Sequence, residues 1–146
     1  MGETDELINK KIKAVLEIGL KPILCVGENE GENRIEVLEK QLTGGLDGVL
    51  DGISDLVIAY EPVWAISSGD PYATKKMPTA KEIQEASQCI KGILAKKSIE
   101  NIRIIYGGST NAENAKQYLE IMDGLLVGGA SLKAEEFVKI VDSATI

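Results

Sequence analysis

The chain of 146 residues carries 16 basic and 23 acidic side chains, for a net charge of −7, and 44% of its residues are hydrophobic. This composition is typical of a folded globular protein rather than a disordered one. The acidic balance argues against nucleic acid or an anionic membrane as a partner, and no apolar run is long enough to span a bilayer.

Histidine is absent from the sequence, which excludes a Ser-His-Asp triad, a His-ligated metal and a histidine acid or base. The two cysteines, Cys25 and Cys89, lie far apart in apolar contexts. They indicate reduced thiols of a cytoplasmic protein rather than a disulfide or a zinc site. The acidic first residues lack the features of a signal peptide. We therefore expect a cytoplasmic protein with no metal and no cofactor.

The first predicted element is a helix that Thr4 can cap and Gly19 can close. Its apolar residues recur at helical spacing, at Ile8, Ile12, Val15 and Leu16. The apolar run 22–26 predicts a short buried strand that ends at Gly27 and Glu28.

A polar loop at 29–33 leads into a second predicted helix, whose apolar positions are Ile35, Leu38 and Leu42. The glycine-rich segment 44–48 is expected to be a loop, with a short helical turn ending near residue 52. The apolar run 56–60 predicts the second strand.

A loop rich in Ser, Gly, Pro and Lys follows and ends near residue 78, where Thr79 can cap a helix that continues to about residue 97. The run 102–106 predicts a third strand. Asn111 can cap the next helix, residues 124–127 predict a fourth strand, and a last helix carries Phe137, Val138 and Val141. This alternation is typical of an α/β fold in which four parallel strands are joined by helices, and residues 1–146 read as one domain.

Glu61 is the candidate catalytic residue, because it directly follows the second predicted strand and Pro62 ends the strand ladder there. Active sites of parallel sheets lie at the carboxyl ends of the strands. A carboxylate in this place is suited to act as a general base, and the alternative is a solvated loop glutamate.

Paired glycines follow the third and fourth predicted strands, at Gly107 and Gly108, then Ser109, and at Gly128 and Gly129. Glycine lets the backbone approach a ligand and turn its amides inward. Phosphate sites of barrel enzymes are built in this way from the last two strand-to-helix loops. The alternative is that these are tight-turn glycines, and the recurrence on consecutive strands favours the phosphate site.

Four motifs resemble triosephosphate isomerase, in the order in which that family has them. Ala59-Tyr60-Glu61-Pro62-Val63-Trp64-Ala65-Ile66 is similar to the family's catalytic signature. Tyr106-Gly107-Gly108-Ser109 and Val127-Gly128-Gly129-Ala130 resemble its phosphate-binding turns, and Ile23-Leu24-Cys25-Val26-Gly27-Glu28 resembles the strand before the catalytic one. The resemblance covers nearly the whole chain but only the carboxyl-terminal half of the family, which is half of a (β/α)8 barrel.

The resemblance implies roles for individual residues. Glu61 corresponds to the proton-abstracting base, whereas Glu28 corresponds to a structural position. The residues that correspond to phosphate ligands are Ser67, through its amide, Ser109, Gly128 and Gly129. The first hinge of the family's closing loop corresponds to Pro62, Val63 and Trp64. The implied ligand is a small phosphorylated triose or a similar anion, in glycolysis and gluconeogenesis.

Three departures from the family pattern qualify these roles. Ser67 and Ser68 replace the Gly-Thr of the loop, and the loop through residue 77 is about six residues longer than the family's. The family's first four strands have no counterpart here, and no residue corresponds to its amino-terminal Lys or its electrophilic His. We therefore expect weak or no isomerase activity from these residues alone.

Three interpretations of function remain open. The first is an isomerase that interconverts dihydroxyacetone phosphate and glyceraldehyde 3-phosphate. The second is a non-catalytic half-barrel scaffold or phosphate-binding module, which pairs with itself or with a separate amino-terminal half. The third is an excised or designed fragment.

Self-pairing is expected because both edges of the predicted sheet, 23–26 and 125–127, are short, apolar and free of protective charges. Two such sheets would close into one eight-stranded barrel and would make the protein a homodimer.

Overall fold

A computed structural model of the chain describes residues 2–49, 53, 56–66 and 77–144. Within these ranges, three short strands alternate with helices in chain order. The elements are α1 Asp5–Glu17, β1 Ile23–Val26, α2 Arg34–Gly45, β2 Val57–Tyr60, α3 Ala80–Lys96, β3 Arg103–Tyr106, α4 Ala115–Leu119 and α5 Ala134–Asp142, with 3-10 helices at Val63–Ala65 and Gly129–Leu132. None of the described helices has the length and apolarity needed to cross a membrane.

The starts of α1 and α3 follow local capping rules that the sequence already displays. The Thr4 side chain accepts a hydrogen bond from the Leu7 amide at the start of α1. Thr79 and Glu82 form a reciprocal capping box at the start of α3. At its other end, α1 stops shortly before Gly19, whose φ of 75° lies in the left-handed region that glycine tolerates. The predicted caps Thr4 and Thr79 and the predicted stop are confirmed. The predicted Asn111 cap is wrong, because α4 begins after Asn114, and the Asn111 side chain accepts amides of the turn before the helix.

The three strands form a parallel sheet in the order β1-β2-β3. One face packs on the helices, because alternate side chains of a strand point to opposite faces. A row of this face, Leu24, Ile58 and Ile104, is 6%, 0% and 1% exposed. Burial of such a side chain contributes roughly 1.5–3 kcal/mol to stability. The predicted α/β fold with parallel strands is thus confirmed.

The opposite face of the sheet is open within the described ranges. Ile23, in the same register row as Val57 and Arg103, is 48% exposed. Cys25 and Arg103 on this face are also exposed, whereas Ile105 is half-buried and Ala59 is buried. The predicted burial of the first strand is therefore wrong on this face. The helices therefore cover one side of the sheet only. We call the other side the inner face.

The predicted fourth strand is wrong as a strand, because a single bridge joins Tyr106 to Leu125. The amide of Leu126 donates to the Tyr106 carbonyl at 2.8 Å. One rung earlier in the ladder, the carboxylate of Asp123 accepts a hydrogen bond from the amide of Ile104 at 2.8 Å. A second rung of the ladder would need the Ile104 amide as its donor. Because that amide already donates to the Asp123 side chain, the pairing stops after one residue.

The second helix is longer than the sequence indicates. Gly44 and Gly45 were predicted to lie in a loop, but α2 continues through both of them. Gly45 is buried, and a side chain there would contact Ile8 of α1 and Leu24 of β1. Packing between the two helices therefore overrides the low helix propensity of glycine. The short turn predicted to end near residue 52 lies mostly outside the described residues.

Candidate active site

The ends of the three strands are tied together where Glu61 begins the loop after β2. The Glu61 amide donates to the Val26 carbonyl at 2.8 Å. The Gly107 amide donates to the Tyr60 carbonyl at 2.9 Å. These bonds bring the end of β1, the end of β2 and the first glycine turn to one edge of the sheet, as expected for parallel strands.

The Glu61 carboxylate lies in a narrow space between Cys25 and Gly107. A Cβ atom on Gly107 would lie 2.5 Å from Glu61 Oε1, so a side chain at this position would displace the carboxylate. On the other side, the Cys25 thiol donates to Glu61 Oε1 at 3.5 Å. Gly27 is equally restricted, because a Cβ there would overlap the Glu61 carbonyl oxygen. These two glycines therefore leave the space that the backbone and the carboxylate of Glu61 occupy.

Burial raises the pKa of the half-buried Glu61 carboxyl, and the hydrogen bond from Cys25 lowers it in part. A raised pKa makes the ionised carboxylate a better proton acceptor. Cys25 lies on the open inner face, but partial desolvation together with the charge of Glu61 raises the pKa of its thiol to about 11. The thiol is therefore protonated at neutral pH and remains a donor to Glu61.

Glu28, the other carboxylate that follows a strand, is 3% exposed and fully engaged. It accepts hydrogen bonds from Tyr60 Oη at 3.0 Å, from Trp64 Nε1 at 3.2 Å and from Arg34 Nε at 3.1 Å. Burial raises the pKa of Tyr60, and the charge of Glu28 adds to this effect. A carboxylate held by three donors is not free to accept a proton from a ligand, so Glu28 is not a rival base.

This Glu28 network also fixes the segment that was predicted as a hinge. The Val63 amide donates to the Glu28 carbonyl at 2.9 Å, in addition to the Trp64 contact. Pro62 is buried, whereas Val63 is 50% exposed. The hinge residues are therefore held at one end by Glu28, and most of the predicted long loop after them lies outside the described residues.

A cavity of about 480 Å³ lies at the turns after β3 and after the Leu125 bridge. It brings together the predicted phosphate ligands Ser109, Gly128 and Gly129, and Gly107 connects it to the Glu61 carboxylate. The remaining lining residues are Ile66, Met77, Gly108, Thr110, Asn111, Ala130, Lys133 and Glu136. The fourth predicted ligand, Ser67, lies outside the described residues.

The two glycine turns are not equally ready to bind an anion. Gly129 opens the 3-10 helix Gly129–Leu132, where the first amides have no acceptor within the helix. Ser109, in contrast, donates from both its amide and its hydroxyl to the Ala65 carbonyl, at 2.9 and 2.8 Å. An anion that binds at Ser109 would have to replace the Ala65 carbonyl as the hydrogen-bond acceptor.

Sequence reasoning missed Lys133 and Glu136, which line the cavity from the start of α5. The carboxylate of Glu136 accepts the Ala112 amide at 2.7 Å. Their position soon after Gly128 and Gly129 could have indicated that they line the site, because the helix that follows a glycine turn begins beside that turn. Within the described ranges, no cluster of His, Cys, Asp or Glu could hold a metal ion.

Comparison with known proteins adds to this geometry. A family model described as triosephosphate isomerase matches residues 1–144. The triosephosphate isomerase of Geotalea uraniireducens (strain Rf4) is 46% identical over 151 residues, which cover 96% of this chain and 58% of that protein. The triosephosphate isomerase of Fusobacterium nucleatum subsp. nucleatum is 48% identical, covering 95% of this chain and 57% of the relative. That of Aquifex aeolicus (strain VF5) is 44% identical, covering 97% and 59%. The chain thus spans less than two thirds of these relatives.

Proposed function

This chain belongs to the triosephosphate isomerase family, and we propose that it supplies the base and the phosphate-binding turns of a site for a small phosphorylated triose. The reaction would interconvert dihydroxyacetone phosphate and glyceraldehyde 3-phosphate, in the cytoplasm and in glycolysis. The observation that carries the proposal is the contact between the Glu61 carboxylate and Gly107, which lines the cavity of the two glycine turns.

Glu61 is suited to move the proton. Its carboxylate is half-buried, its pKa is raised by burial, and the Cys25 thiol and the backbone at Gly107 restrict its position. A base must be held near the proton that it removes, since a displacement of about 1 Å can cost roughly 10²-fold in rate. The adjacent cavity would hold the phosphate through the amides of Gly128 and Gly129.

The 146 residues contain no histidine, so the family's electrophilic histidine would have to come from outside them. Removing one such donor typically costs roughly 10²–10³ in rate. We therefore propose that full activity needs residues from outside this sequence. On its own, the chain would act as a phosphate-binding half-barrel module with weak or no turnover.

Association through the sheet is the second part of the proposal. The open inner face, with Ile23 48% exposed, supports a covering partner, because exposed apolar surface costs roughly 25 cal/mol per Å². Pairing of β1 with the edge 125–127 of a second copy would give a homodimer with a closed barrel. A separate amino-terminal half is the alternative partner.

Turnover of the purified chain tests the first part. We expect a rate near background for the chain alone and an increase when a separately produced amino-terminal half is added. Glu61→Asp should lower the complemented rate about 10²-fold, whereas Glu113→Gln, an exposed glutamate control, should not. A complemented rate that is indifferent to Glu61→Asp would contradict the assignment of the base.

Sedimentation tests the second part. We expect a dimer at micromolar concentration and dissociation when Ile23 on the inner face is replaced by Lys, with Ile35, 61% exposed on α2, replaced by Lys as the control. A stable monomer with a cooperative unfolding transition would exclude closure by a second copy and would leave the separate half as the partner.

A further inference from the structure

Two side chains of opposite charge line the candidate phosphate cavity from the start of α5. We propose that Lys133 provides the positive charge that lets this cavity hold a phosphate dianion, because it offsets the nearby carboxylate of Glu136. This inference rests on the proposed phosphate site at Gly128 and Gly129. Among the described residues that line the cavity, Lys133 is the only cation and Glu136 the only anion.

Glu136 is a fixed part of the cavity wall. Its Oε1 accepts the Ala112 amide at 2.7 Å, in the turn that the Asn111 side chain organises by accepting the amides of Glu113 and Asn114. Rotation of Glu136 away from the cavity would leave the Ala112 amide without this acceptor. The carboxylate charge therefore stays at the wall, where it would repel a dianion.

Lys133 adds an opposite charge to the lining of the same cavity. Its amide donates to the Ala130 carbonyl at 3.2 Å, which ties it to the Gly128 and Gly129 turn, and its own carbonyl accepts the Phe137 amide at 2.9 Å as α5 begins. Lys133 is one of the residues that line the cavity from this anchored backbone. Backbone amides give direction to an anion site, but Lys133 provides its full unit charge.

The net charge of the cavity follows from this pair. With both side chains ionised, the part of the lining that the structure describes is neutral, and the amides of the glycine turn decide whether an anion binds. Without Lys133, the lining carries the charge of Glu136 in a protein that is already acidic at −7. The Lys133 effect should weaken with salt, since screening acts over about 10 Å at 0.1 M ionic strength.

Titration of inorganic phosphate at pH 8, followed by the backbone amide shifts of Gly128 and Gly129 at low ionic strength, tests this inference. We expect Lys133→Gln to weaken binding about three- to tenfold, as for loss of an exposed charge that acts on a dianion. Glu136→Gln keeps an acceptor for Ala112 and should strengthen binding. The double variant should return to near the original affinity. Lys139→Gln, on the same helix but outside the cavity lining, is the matched control.

The outcomes separate this inference from the proposed function. If phosphate shifts the two glycine amides equally well in the Lys133→Gln and Lys139→Gln variants, the role of Lys133 is wrong and the phosphate site stands. If phosphate shifts neither amide in the unsubstituted chain, the phosphate site itself is wrong, and the inference fails with it. An equal loss in both lysine variants would indicate a general charge effect and would also overturn the role of Lys133.

Discussion

Replacement of Gly107 by alanine tests whether a glycine sets the position of the Glu61 carboxylate. The added Cβ would lie 2.5 Å from both Cγ and Oε1 of Glu61, whereas unstrained contacts between carbon atoms are about 3.5 Å or longer. The carboxylate would therefore have to withdraw by about 1 Å. Because only a side chain has to move, we expect the stability loss of Gly107→Ala to stay below about 1 kcal/mol.

Two measurements follow the displaced carboxylate. Turnover in the presence of an added amino-terminal half should fall about 10²-fold, since the base is misplaced by about 1 Å. In the chain alone, a carboxyl-carbon titration by NMR should show the pKa of Glu61 falling towards its ordinary value. The reason is that burial raises this pKa, and the open inner face of the sheet is where the displaced group can go.

Gly27→Ala is the matched control for this prediction. Its Cβ would overlap the backbone carbonyl of Glu61 rather than a side chain, so the strand ends themselves would have to separate. We expect it to destabilise the fold by about 1–3 kcal/mol, as overpacking does. A folded Gly107→Ala variant with an unchanged Glu61 pKa and unchanged turnover would refute the reasoning, as would a Gly27→Ala variant as stable as the original chain.

Three further predictions concern stability, each checked by urea unfolding. Burial raises the pKa of Glu61 in the folded state, so the protonated carboxyl contributes stability that is fully present below the unfolded pKa of about 4.3 and is lost as the pH rises through the folded value. Glu61→Gln, which does not titrate, should therefore become more stable relative to the original chain between pH 4 and pH 7. A stability difference that stays constant over this range would contradict the prediction. Glu28→Gln leaves Arg34 without its buried carboxylate and should cost about 2 kcal/mol, in contrast to a near-neutral exposed Glu113→Gln. Thr79→Ala removes the capping box of α3 and should cost about 1 kcal/mol, and no loss would argue against that cap.

Much of the fold could be predicted because its signals are local. The first and third strands are apolar runs bounded by turn residues, and Thr4 and Thr79 are caps that depend only on the next three residues. The prediction of a fourth strand was wrong for a nonlocal reason. The carboxylate of Asp123 accepts the hydrogen bond of the Ile104 amide, and the apolar run 125–127 itself does not indicate this contact.

The candidate site likewise contains some residues that the sequence could predict and others that it could not. Glu61 and the glycine pairs could be found because they follow predicted strands, and the carboxyl ends of parallel strands lie at one edge of the sheet. The engagement of Glu28 could not be foreseen, since its donors Tyr60, Trp64 and Arg34 come from three different segments. The sequence does not single out Lys133 and Glu136, because a charged residue at the start of a helix is ordinarily solvated.

The number of helices restricts which partner could close the barrel. A (β/α)8 barrel has one outer helix position for each of its eight strands. The described ranges contain five α-helices, with α1 preceding the first strand and α5 following the last predicted one. The described parts of two copies would therefore bring ten helices to eight positions. At each junction, α1 of one copy and α5 of the other would compete for one place.

A separate segment of four strands and three helices would fill the remaining positions without such competition. A closed homodimer, in contrast, requires one helix of each competing pair to leave the barrel surface. Because a displaced amphipathic helix exposes its apolar face, closure by a second copy is offset by that exposure. The homodimer is then favoured only if the inner faces bury more apolar area than the two displaced helices expose, and the added half has no such condition to meet.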